Sequence, residues 1–68
     1  KVMESKFNVG DKIVYQDNNG KFVEGTVKEV WFSYFVESND ELHSHQCVSQ
    51  DKAYKDKQEV IENLGLND

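Results

Sequence analysis

The chain reads as a mainly-β domain: a small twisted barrel of four or five antiparallel strands, followed by one short C-terminal α-helix. Three observations predict it. Nine Val, two Ile and eight aromatic residues dominate the apolar fraction of 37%, and these side chains suit a pleated, half-buried surface. Short runs rich in them are separated by Gly, Asn and Asp clusters, which is the punctuation of strands and tight turns. Only the segment after Lys55 changes to a helical spacing. With 68 residues there is room for a single domain and one core.

Residues 1–7 are mostly polar and read as a frayed N-terminus, Phe7 excepted, with the barrel over 8–55. Val9–Gln16 is the first strand, entered through a turn at Gly10. Asp17-Asn18-Asn19-Gly20 is a turn, because Asn and Gly tolerate positive φ. Lys21–Val30 is the second strand, and Gly25 within it marks a bulge or sharp bend. Trp31–Glu37 is the third, Ser38-Asn39-Asp40 the next turn, and Leu42–Val48 the fourth strand. Lys52-Ala53-Tyr54 adds a brief fifth. The spacing then predicts a helix over 56–64, with Asp56 as N-cap and Glu59 completing a capping box. Val60, Ile61 and Leu64 form its apolar stripe. Gly65 occupies the C′ position, from which Leu66 folds back on Ile61.

Charge and composition narrow the function. All eight cations are Lys, against 13 acids, for a net charge of −5. Without Arg the chain lacks the planar fork that reads guanine edges and grips phosphates. The acidity lies from Glu37 onward, which repels nucleic acid and attracts a basic partner. Cys47 is the lone cysteine, so an intramolecular disulfide and the common Cys-rich zinc sites are excluded. No apolar run approaches the length of a membrane span. A cytoplasmic, cofactor-free protein with no membrane partner is the expectation. Richness in Lys and Asn without Pro fits a bacterial or phage origin.

The run Trp31-Phe32-Ser33-Tyr34-Phe35-Val36 is the strongest local feature. Strand alternation places Phe32, Tyr34 and Val36 on one face and Trp31, Ser33, Phe35 and Glu37 on the other. The second set mixes rings with polar groups and is the candidate binding face. His43-Ser44-His45 is the one metal-like pattern, since a His-x-His pair on a strand projects both rings to one side. Cys47 lies about 13 Å from His43 along a straight strand, too far to share an ion. The sequence holds no nucleophile with a recognisable base and oxyanion hole, so an enzyme is not expected.

Val9-Gly10-Asp11-Lys12-Ile13 resembles the opening of SH3-like small barrels of the Tudor and KOW groups. Gly20-Lys21-Phe22-Val23-Glu24-Gly25-Thr26-Val27 and Tyr34-Phe35-Val36-Glu37 resemble their next two segments. The resemblance implies a binding module: a grip on methylated side chains in the Tudor group, and on RNA or protein in the KOW group. A Tudor cage would fall at Tyr15 or Gln16 and at Phe22, with Ser38 and Asn39 where further rings would stand.

The reading is therefore a small acidic protein–protein interaction module, an accessory or regulatory factor. Its surface would combine Trp31 and Phe35 with Tyr15 and Phe22, rimmed by Glu37 and Asp40. The alternative is a module for RNA or single-stranded nucleic acid, with the same rings stacking on bases. The chain is expected as a monomer or weak homo-oligomer, the latter joined through an open barrel edge.

Overall fold

A strand buries one face by alternating its side chains, and four strands here do so around a common core. The computed structural model describes residues 6–64. The expected fraying of residues 1–5 and the capping role of Gly65 and Leu66 fall outside the described residues. Strands β1 (Lys12–Gln16), β2 (Phe22–Val30), β3 (Ser33–Ser38) and β4 (His45–Ser49) are followed by a 3₁₀ turn at Gln50–Lys52 and helix α1 (Lys57–Leu64). All neighbouring strands are antiparallel, in the order β1-β2-β3-β4.

The long strand β2 organises the sheet. Residues 22–26 pair with β1 and residues 25–30 with β3, so the two partnerships overlap only at Gly25 and Thr26. There Gly25 lies between Ile13 and Ser38 in register. A Cβ on Gly25 would sit 2.6 Å from Tyr15 Cε1 and from Val36 Cγ1, so the glycine is needed for close packing. The bulge expected at Gly25 is instead three residues on, where the register shifts between Val27 and Glu29.

The inner face carries Ile13, Tyr15, Val27, Tyr34, Val36 and Val48, one cluster drawn from all four strands, with Phe7 and Ala53 packed onto it. Phe7 thus belongs to the core. Val14, on the other face of β1, joins Tyr54 and Val60 in a second cluster against Phe22. This is how α1 docks, at the β1 side of the outer face. Asp56 caps its start as predicted, Oδ1 accepting the Glu59 amide at 2.8 Å, whereas Glu59 Oε1 reaches one residue past the N-cap and accepts the Lys55 amide at 3.1 Å, so the reciprocal half of the capping box is shifted.

The sheet is not closed into a barrel, and the SH3-like architecture of the Tudor and KOW groups is overturned. Among the described residues no ladder joins β4 to β1. The predicted fifth strand is reduced to one bridge, in which Val14 and Tyr54 exchange hydrogen bonds of 2.7 and 2.9 Å. The reason is length. Only Ala53 and Tyr54 lie between the 3₁₀ turn and the Lys55–Asp56 cap of α1, too little chain for a ladder. The Gln46 side chain donates to Gln16 O at 3.0 Å, a side-chain tie between the two edge strands.

Candidate functional site

The connection between β2 and β3 is Trp31 and Phe32, and both project into solvent. Trp31 is 71% exposed and Phe32 100%. Short hairpin connections ordinarily hold Gly, Asn or Asp; here the apex is aromatic. Trp31 is oriented: its indole N–H donates to Glu29 Oε1 at 2.8 Å, and its carbonyl accepts from Gln50 Nε2 at 3.0 Å. Phe32, expected beside Tyr34 and Val36 on the core face, lies outside the strand altogether.

Behind this tip the outer face continues the aromatic surface. Ser33, Phe35 and Glu37 share that face as the alternation predicts, while Tyr34, Val36 and Ser38 are buried. Glu29 is the register partner of Phe35, so the residue that holds the Trp31 indole lies across from the Phe35 ring. Phe35 stacks on His45, with centroids 5.1 Å apart and planes at 8°. Glu37 is approached from three sides: Lys28 Nζ stands 3.3 Å from Oε1, and the imidazole nitrogens His45 Nε2 and His43 Nδ1 stand 3.8 and 3.9 Å from Oε2. The patch thus runs Trp31, Glu29, Phe35, His45, Glu37.

The remaining expected residues are placed elsewhere. Tyr15 is 1% exposed and belongs to the core; burial, then the charges of Asp40 and Asp17, raise its pKa. It has no surface to offer a partner. Phe22 and Asp40 line a second feature, an open groove of about 610 Å³ between β2, the β3–β4 loop and the start of α1. Val14, Glu24, Asp56 and Lys57 also line it. Next to it, Phe22, Lys57, Val60 and Ile61 border a hollow of about 250 Å³.

Asp40 is the organiser of its loop. Its Oδ1 accepts the Ser38 hydroxyl at 2.9 Å and the amides of Leu42 and His43 at 3.0 and 3.2 Å. The Ser38 bond, chiefly, holds the Asp40 carboxyl below its ordinary pKa, with the two amides adding to it. The tight loop carries His43 at φ +48°. His43 therefore lies before β4 rather than within a fourth strand beginning at Leu42, and the His-x-His strand geometry is not formed. Both imidazoles nevertheless turn to Glu37. Among the described residues no group of three His, Cys, Asp or Glu side chains is arranged to hold a metal ion. No described helix is long and apolar enough to cross a membrane.

Comparison with protein-family models, with curated proteins and with solved structures gave no match. The site therefore has to be read from its own chemistry. Two of its members escape a reading of the sequence, Phe32 and Glu29. The available signal was length: an unbroken run from Lys21 to Glu37 is too long for one strand of a small domain, and some pair within it must turn.

Proposed function

We propose that this chain is a small binding module that recognises another protein through the Trp31–Phe32 tip and the adjoining Phe35–His45 face. The carrying observation is the exposure of two large aromatic rings in a connection where turn chemistry favours small polar residues. Aromatic residues are enriched at the cores of protein interfaces, and Trp is prominent among the few residues that carry most of the binding energy. Such a tip suits a concave apolar site on the partner. The partner's rim would be basic, because residues 37–68 carry eight acids against three Lys and acidic surfaces steer cationic ones.

Trp31 is the sole tryptophan, so its fluorescence reports on the site directly. The test uses the wild-type chain and a Trp31→Ser/Phe32→Ser variant as baits at physiological salt, each with and without nuclease. A protein retained stoichiometrically by the wild type and lost by the variant supports the reading. On titration that protein should also shift Trp31 emission to the blue and shield it from acrylamide. Equal retention by both baits removes the tip from the site. Retention that disappears with nuclease replaces the reading with nucleic-acid binding.

A further inference from the structure

Among the described residues the open sheet leaves the β4 backbone edge unpaired, and the phase of its hydrogen bonds can be followed strand by strand. The Asn39 amide donates to Glu24 O at 3.0 Å, so the odd-numbered positions of β3 face β2. The Ser38 amide donates to Ser44 O at 2.8 Å, so Ser38, Val36 and Tyr34 face β4 and meet Ser44, Gln46 and Val48. His45, Cys47 and Ser49 therefore aim their main-chain N–H and C=O groups away from the sheet. Among the described residues no backbone group bonds to them there.

Exposed edges are usually blunted by Lys, Pro, a bulge, an inward charge or a covering element. Strand β4, His-Gln-Cys-Val-Ser, has no Lys, no Pro and no acidic residue, and its pairing with β3 is unbroken. This edge, free of Lys and of acidic side chains, belongs to a chain of net charge −5. The same pattern is self-complementary. Two β4 strands set antiparallel about an axis at Cys47 bring Cys47 opposite Cys47, and His45 opposite Ser49 of the other copy. Each of these pairs falls in the hydrogen-bonded phase, and no like charges of the strand oppose one another.

We infer that the occupant of this edge is a second copy of the chain, joined β4 to β4 about a two-fold axis into one continuous sheet. Closed two-fold pairing is the commonest form of self-association. The ends of the strand agree with it. Leu42, 83% exposed, precedes β4, and the Trp31–Phe32 tip lies by its far end through the Gln50–Trp31 bond. Antiparallel pairing brings Leu42 of one copy to the same end as the aromatic tip of the other. The inference does not depend on the tip's role in binding a different protein.

Sedimentation equilibrium with reductant present, from micromolar to millimolar chain, tests it together with amide exchange. The wild type should form a reversible dimer, and the amides of Cys47 and Ser49 should slow as it forms. Cys47 is exposed, so Cys47→Lys should keep the circular-dichroism spectrum and lose the dimer, since it sets two ammonium groups across the axis. If that variant unfolds, Ser49→Lys serves in its place. A wild type that stays monomeric throughout overturns the inference. So does a dimer in which those amides remain fast, or a folded lysine variant that associates like the wild type.

Discussion

The amide of Phe7 donates to the Tyr34 hydroxyl at 3.2 Å, while the two rings meet edge-on with centroids 5.9 Å apart. One core residue thus holds the segment before β1 by both its polar end and its ring. The contact explains why a residue so near a polar terminus is buried. Tyr34→Phe keeps the ring and strands the amide, and should cost about 1 kcal/mol in urea unfolding. Phe7→Ala removes the ring itself and should cost about 3 kcal/mol or more. Equal losses in the two variants would mean that the ring contributes little.

Gly25→Ala tests the point where β2 changes partners. The added methyl carbon meets Tyr15 and Val36 at 2.6 Å and the Glu37 carbonyl at 2.8 Å. The carbonyl belongs to a paired strand and cannot swing aside. Overpacking of this kind should lower stability by about 1–3 kcal/mol, measured by denaturant midpoint. An unchanged midpoint would show that the sheet can open there at little cost.

Acid should loosen the two capped segments. The Lys55 amide, with Lys6 close by, lowers the Glu59 pKa from its ordinary 4.5. The Ser38 hydroxyl, chiefly, lowers that of Asp40 from 3.8. A carboxylate with a depressed folded pKa contributes stability above its unfolded value. That contribution is lost as pH falls through the unfolded value toward the folded one. Stability should therefore decline as the solution is acidified through this range. Glu59→Gln should flatten part of the decline, and Asp40→Asn another part. Acid titrations of the three proteins followed by far-UV circular dichroism check it; superimposable profiles would remove both carboxylates from the account.

The second cluster, Val14, Tyr54 and Val60 against Phe22, is what seats α1 on the sheet. Val60→Ala should cost about 1–2 kcal/mol by loss of two buried methyl groups and should speed amide exchange in α1 before that in β2 and β3. Uniform acceleration throughout would show that helix and sheet unfold together.

Much of this was legible in the residues, and the exceptions have physical causes. The Asp17–Gly20 turn announced itself through φ-tolerant residues, and the helix start through Asp56 and Glu59. Alternation placed Phe35 and Glu37 on a single face. Closure into a barrel was not legible, because it depends on how many residues remain between Ser49 and the cap at Asp56 once a 3₁₀ turn has used three of them. The burial of Tyr15 was hidden as well, since its place is set by the β2 crossover at Gly25, a long-range relation. Trp31 and Phe32 read as strand because nothing in them signals a turn.

That misfit is also the centre of the functional account. If Trp31 and Phe32 serve a partner and not the fold, removing both should leave the fold intact. The decisive measurement is the equilibrium unfolding of Trp31→Ser/Phe32→Ser against the wild type. The account predicts free energies within about 0.5 kcal/mol of each other, as for ordinary surface substitutions. A loss of about 3 kcal/mol, the size expected of a buried aromatic, would make the tip a structural element and contradict it.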